Sequence, residues 1–200
     1  MKRPDRASRP VPGKRDQRRV IRVLTEGKVS EPGYLAQWAR RSQNIHIDFS
    51  ESGMAPLTLV ERARSHQRSN RKRGGKSDKF DEIWCIFDVD EHPNLSQAIN
   101  EAREGGIEVA LSNPCFELWL ILHYQDQTAH IDRRHAQRLA GDLGAIDGKR
   151  IRPEAIEDIL IKYVDAKRRA IELGNRHRGN GAVPDSNPSS NLWELVDKLR

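Results

Sequence analysis

A chain of 200 residues, 36% hydrophobic and 32% charged, is long enough for one domain, or one plus an appendage, with a real core. No run approaches the roughly 18 consecutive apolar residues of a membrane span, and the opening "MKRPDRASRPVPGKRDQRR" lacks the apolar stretch of a secretory signal, so a cytoplasmic protein without membrane contact is expected. The net charge of +6 sits at one end: of 35 Lys/Arg and 29 Asp/Glu, residues 1–19 hold eight and two, leaving 27 of each elsewhere. With Pro4, Pro10, Pro12 and Gly13, that segment reads as a disordered basic tail, suited to tethering nucleic acid or simply to solubility.

Past the tail, "RRVIRVLTEG" reads as a strand ending near Leu24 and Thr25, and "SEPGYLAQWARRSQ" as a helix with Ser30 as a candidate N-cap. "NIHIDFS" alternates Ile45, Ile47 and Phe49 as a half-buried strand; "APLTLVERARSHQRS" has helical spacing; "NRKRGGKSDK" is a basic loop. "FDEIWCIFD" is apolar on both faces, as the central strand of a parallel sheet should be. A short helix, "NLSQAINEAREGG", stops at glycine, and "IEVALSN" is a strand placed nearer the sheet edge. "PCFELWLILHY" is an apolar helix. Two more helices are expected, near 133–141 and from Pro153 to about Leu173, then a loop over 174–190 and a last helix, "NLWELVDKL". Strand and helix alternate four times before the helices, which predicts an α/β fold: a four-stranded, mainly parallel sheet flanked by helices, over 20–125, with a helical C-terminal extension over 126–200 packed on that core.

In such a sheet the functional crevice lies beyond the C-terminal strand ends. Glu26 follows the first strand, Asp88 and Asp90 the third, and "SNPCFE", ending in Glu117, the fourth. Residues two apart on a strand project to one side, so Asp88 and Asp90 can face one cation. Crowded carboxylates repel and raise one another's pKa. A divalent ion removes that problem, and oxygen-only ligands suit Mg²⁺ or Mn²⁺ and phosphoryl-transfer chemistry. The plainer reading of the pair is a turn, or a cap for a helix starting near Pro93 or Asn94. Glu117 is harder to explain structurally. A helix starting at Asn113 with Pro114 first puts Phe116 at the capping-box position, and leaves Glu117 among Phe116, Leu118, Trp119, Leu120, Ile121 and Leu122. An acid there must face a polar crevice or be paired. His123 ends the same helix, where a favourable place at its C-terminus is the structural alternative to a role in the site.

Rival motifs fail. "GGKS" at 74–77 has Asn70 where a P-loop has glycine, and it follows a helix and precedes a strand, the reverse of the required order. Cys85 and Cys115 lie in apolar runs, match no zinc spacing and read as buried thiols. Trp38, Trp84, Trp119 and Trp193 each lie in an apolar pattern and read as core rather than as stacking platforms. Arg68, Arg71, Lys72, Arg73 and Lys76 in the basic loop are candidates to grip a nucleic-acid backbone.

A glutamate after the first strand and Asp-x-Asp after the third resemble the Toprim domain of topoisomerases, bacterial primases, OLD-type nucleases and ribonuclease maturases. The wording "VLTEGKVSEPGYL", "FDEIWCIFDVDEHPN", "GIEVALSNPCFELWLILHY" and "NPSSNLWELVDKL" resembles the RloB-like family, found beside restriction and phage-defence genes, over about residues 20–200. The resemblance implies a Toprim/Rossmann-like sheet and Glu26 as metal ligand or general acid/base. It further implies Glu31 as a second acid at the metal, Asp88 and Asp90 as the metal-binding pair, and Glu117 and His123 as signature residues with catalytic potential. Pro93 stands where the longer Toprim pattern has glycine, a departure from topoisomerase and primase chemistry. The expectation is a Mg²⁺/Mn²⁺-dependent nuclease cutting RNA, tRNA among the candidates, or DNA in phage defence, with a regulatory protein partner or homo-oligomer. The alternatives are a nucleic-acid-binding or sensor subunit that relies on a partner to cut, and a phosphoryl transferase acting on small nucleotides. The latter lacks the glycine loop such an enzyme needs.

Overall fold

The computed structural model describes residues 18–72, 79–89, 92–181 and 186–200. Asp90, Arg73, Lys76 and almost all of the basic tail lie outside these residues, as does the side chain of Lys72. The elements run β1 (Arg19–Thr25), α1 (Ser30–Ala39), β2 (Ile45–Ser52), α2 (Pro56–Lys72), β3 (Glu82–Asp88), α3 (Leu95–Gly105), β4 (Glu108–Asn113) and α4 (Phe116–Tyr124). The C-terminal part follows with α5 (Arg133–Asp142), β5 (Ile146–Asp147), β6 (Arg150–Ile151), α6 (Ala155–Ile161), α7 (Tyr163–Gly179), β7 (Ser189–Ser190) and α8 (Trp193–Leu199).

The fold is α/β. The main sheet has order β2-β1-β3-β4-β7, with the first four strands parallel and β7 antiparallel to β4. Strand order reverses between β1 and β3, the switch point at which open parallel sheets leave a crevice past their C-terminal ends. Strand period 2 divides the core. Ile83, Cys85 and Phe87 of β3 pack toward α2 and α3 with Leu59, Ala63 and Ala98. Trp84 and Ile86 pack on the other face with Tyr34 of α1, Trp119 of α4 and Tyr163 of α7. Asp88 continues the Trp84–Ile86 face, so β3 delivers it toward α1 and α4. Trp38, Trp84 and Trp119 are buried, Trp193 is partly buried against the core, and both cysteines are buried free thiols.

Several expectations need correction. The sheet has five strands, not four: the two-residue β7 pairs with the last two residues of β4, which lies next to the edge as expected. Two serines carry no periodicity, so β7 is invisible to hydrophobic patterning. Its pairing is extended by Asn191, whose side chain accepts from Leu111 N at 2.6 Å and donates to Val109 O at 3.2 Å. Arg19 belongs to β1, with its guanidinium on Glu82, rather than to the tail. Ser30 is inside α1, not its cap; its hydroxyl donates to Lys149 O at 2.8 Å. The long helix expected from Pro153 breaks at Lys162 into α6 and α7. The buried series Ile159, Tyr163, Ala166, Ala170 and Leu173 keeps helical spacing through the break, so periodicity does not reveal it. No helix among the described residues is long and apolar enough to cross a membrane.

Asn191→Ala removes the side-chain partners of two β4 backbone groups. It is expected to cost about 2 kcal/mol, a fall of roughly 4–8 °C in melting temperature for a chain of this size, measurable by thermal denaturation.

Candidate active site

A cleft of about 490 Å³ opens at the C-terminal edge of the sheet, over the β1/β3 switch point. Four carboxylates from four segments line it: Glu26 after β1, Glu31 on α1, Asp88 at the end of β3 and Glu117 on α4. Glu31, Asp88 and Glu117 are only 4%, 5% and 5% exposed, which makes their grouping a property of the interior rather than of a solvated acidic face.

Three of the acids accept from backbone N–H groups. Glu26 N donates to Ile86 O at 3.1 Å, binding the turn after β1 to β3, and Glu26 Oε2 accepts from Asp88 N at 3.3 Å. Glu31 Oε1 accepts from Gly27 N at 2.8 Å. This explains the glycine in "TEG": a Cβ on residue 27 would overlap both carboxylate oxygens of Glu31. Asp88 Oδ1 accepts from Phe116 N at 2.9 Å, so Asp88 does cap a helix, but α4 rather than the one beginning at Leu95. Its Oδ2 accepts from Arg133 Nη2 at 3.2 Å. Phe116 follows a cap at Cys115, so α4 starts later than expected and Glu117 falls in its first turn. Glu31 occupies the first turn of α1. Both helices therefore direct their positive ends at the acids, which offsets part of the repulsion.

The remaining repulsion shows in the acid–base behaviour. Burial, followed by Glu31, Glu26 and Glu117, pushes Asp88 well above the usual carboxylate range, with Arg133 opposing. Burial foremost, with Glu117 and Glu26 adding, also raises Glu31. The Cys115 thiol is raised by burial and by its hydrogen-bonded neighbour Glu117, so it is no nucleophile.

The donor set is all oxygen, the chemistry of Mg²⁺ or Mn²⁺. Among the described residues no three His, Cys, Asp or Glu side chains are drawn together tightly enough to form a metal-holding group. Glu26, Glu31 and Asp88 spend oxygens on backbone N–H groups and Asp88 also on Arg133, and Asp90, the second half of the Asp-x-Asp pair, is outside the described residues. The fit is thus one of chemistry and charge, in a cleft whose acids carry more negative charge than their partners balance.

Other expected residues are elsewhere. His123 is not in the cleft. It is 1% exposed in the core, with Nδ1 donating to Trp119 O at 2.9 Å and Nε2 3.4 Å from the Tyr34 hydroxyl. Burial lowers its pKa to about 4, so it is a neutral strut between α4 and α1. Arg68 and Arg71 lie on the last two turns of α2, at the opposite edge of the sheet from the cleft. Four unanticipated residues do line the cleft: Lys28, Arg133, Lys149 and His92, whose Nε2 donates to Glu26 Oε1 at 2.9 Å. The stem of Lys28 crosses Gly53, whose φ of +79° and absent Cβ leave room for it. Lys149 rides the β5–β6 hairpin, held by Ser30.

Two outcomes follow. Gly27→Ala should leave the fold intact and drive the Glu31 carboxylate out of the cleft, returning its raised pKa toward the ordinary 4.5, as read by carboxyl NMR titration. For His123 the depressed folded pKa means that the unfolded chain binds a proton the folded chain refuses, so stability is present above pH 6.5 and lost as pH falls toward 4. His123→Gln should remove that loss, on the order of 3 kcal/mol, in denaturant titrations between those pH values.

No curated protein and no solved structure matches the chain. A family model described as RloB-like protein matches residues 21–199, from within β1 to the end of α8. The chain belongs to the RloB-like family.

Proposed function

We propose that the chain is a Mg²⁺/Mn²⁺-dependent nuclease acting on RNA, tRNA among the candidates, or DNA in anti-phage defence. The observation that supports this most is the convergence of Glu26, Glu31, Asp88 and Glu117 on one cleft rimmed by Lys28, Arg133 and Lys149. An acidic floor under a cationic rim suits a phosphodiester, whose non-bridging oxygens bind the rim while the reacting phosphorus lies over the acids. The order of acids along the chain, Glu26 before Asp88, resembles that of Toprim nucleases.

Glu26, Glu31 and Asp88, with Asp90, are the residues that would hold the metal. Bound there, it supplies Lewis-acid activation of water and neutralises charge on the phosphate. The chain's own groups do the rest. Lys149 and Lys28 orient the phosphate. Arg133, next to Asp88, neutralises the site. Glu117 takes the proton of the attacking water. His92 fixes the Glu26 carboxylate through Oε1. His123 has no place in this scheme, because it faces Tyr34 in the core.

The second reading, a binding or sensor subunit whose partner cuts, is favoured by one feature: Asp88 caps α4 and pairs with Arg133, a sufficient structural reason for its presence.

The test is incubation of the purified chain with total tRNA, single-stranded DNA or plasmid, in Mg²⁺, Mn²⁺ or EDTA, beside Asp88→Asn, which keeps an oxygen for the Phe116 amide. Cutting that needs metal and falls by at least about 100-fold in the variant is the expected result. Salt-sensitive binding without turnover on any substrate sinks the nuclease reading in favour of the partner-dependent subunit.

A further inference from the structure

Six exposed cations gather at the end of the sheet away from the cleft. In a parallel α/β layer, helices that return the chain to the next strand end at the N-terminal strand edge. Arg40 and Arg41 follow α1, Arg68 and Arg71 occupy the last two turns of α2, and Arg18 and Lys79 precede β1 and β3; all six are exposed. Backbone and side-chain bonds tie these segments together. Arg19 N donates to Asn44 O at 2.8 Å, which sets the loop after α1 beside the start of β1. The Asn70 amide donates to Phe80 O at 3.0 Å, pinning the end of α2 to the start of β3. Asp81 N donates to Val20 O at 2.8 Å.

The nearby acids are occupied. Asp81 Oδ2 accepts from Val20 N at 2.7 Å, and Glu82 carries Arg19 and Lys198. None of the six cations forms an ion pair with a described residue. Complementing the dipoles of α1 and α2 accounts for cations at helix ends, but not for Arg18 and Lys79, which precede strands. Residues 1–17, which bring six further Lys/Arg against two Asp, join the fold at Arg18 on this same edge.

We propose that this edge is a second nucleic-acid surface, gripping the backbone without reading sequence, remote from the scissile phosphate. The seven residues of β3 separate it from the cleft by roughly 20–25 Å at about 3.3 Å per residue. It anchors a long substrate while Lys28 and Lys149 hold the phosphate at the cleft. The proposal rests on the reading of the chain as one that acts on nucleic acid, but its test requires no cleavage.

The test uses the full chain carrying Asp88→Asn and labelled 30-nucleotide RNA and DNA single strands, with affinity measured across a KCl series. Adding Arg40→Glu, Arg41→Glu, Arg68→Glu and Arg71→Glu is expected to weaken binding at least about tenfold near 0.1 M KCl. It should also flatten the slope of log affinity against log salt by about 2–3, near 0.7 per lost phosphate contact. Affinity within twofold of the parent at an unchanged slope overturns the proposal. So does tighter binding to vesicles containing phosphatidylserine than to either strand. A thermal melt checks the fold of the variant; should charge reversal disturb it, the four glutamine replacements are read by the same criteria. Binding that depends on these arginines, when the chain with Asp88 restored cuts nothing, removes the nuclease reading and keeps the surface. Cutting with arginine-independent binding does the reverse.

Discussion

Asp88 ties three parts of the molecule together. Its Oδ1 accepts from the first amide of α4 at 2.9 Å, its Oδ2 takes Arg133 from α5 at 3.2 Å, and its own backbone N–H donates to Glu26 at the end of β1. One residue at the tip of the central strand thus joins the two strands of the switch point to the helix that follows β4 and to the C-terminal part. The cost is a carboxylate with 5% exposure in the field of Glu31, Glu26 and Glu117, and its raised pKa records that cost. A structural cap alone does not require the other three acids. An N–H of α4 could be capped by serine or threonine without charge, so the excess of carboxylates is the part of the site that calls for a function.

What lets the acids coexist is backbone placed to meet them. The first turns of α1 and α4 carry Glu31 and Glu117, Gly27 leaves room for the Glu31 carboxylate that its own N–H binds, and His92 holds Glu26. Behind them Tyr34 and His123 lock α1 to α4 inside the core, in edge-on contact with Trp119. The carboxylates on those helices therefore sit on a rigid frame. Rigidity of this kind keeps like charges close when solvation would draw them apart, which is how a site preorganises for a cationic or phosphate-bearing ligand.

Much of this was legible because it follows from periodicity and strand ends. β3 reads as central from its unbroken apolar run, and Glu26, Asp88 and Glu117 group together once parallel topology is granted. What escaped has physical reasons. β7 is two serines reinforced by an asparagine side chain, a pairing made by hydrogen bonds with no hydrophobic trace. His123 ends an apolar helix beside a candidate acid, and sequence does not tell an inward ring from one at the site; only the Tyr34 partner 89 positions away does. The charge of the basic segment shows in the sequence, but its place at the sheet edge opposite the cleft follows only from where α2 ends. Lys149 did have a signal: "IDGKRI" contains Asp-Gly between short apolar flanks, a strong hairpin mark. Arg133, by contrast, begins an ordinary amphipathic helix, and nothing local sets it apart from Arg134.

The C-terminal part also bears on how the site is completed. Arg133 opens α5 and Lys149 tips the β5–β6 hairpin, while the carboxylates all come from the first 117 residues. The two signs of charge in the cleft are therefore supplied by different stretches of chain, with Lys28 the exception. At the cleft two hydrogen bonds join these stretches, Ser30 to the Lys149 carbonyl at 2.8 Å and Arg133 to Asp88 at 3.2 Å. Loosening either would leave the α/β layer folded around its own core and still strip the acids of their cations. The sheet, α1 and α4 carry the acids, whereas two of the three rim cations, Arg133 and Lys149, are in place only where the extension meets the switch point.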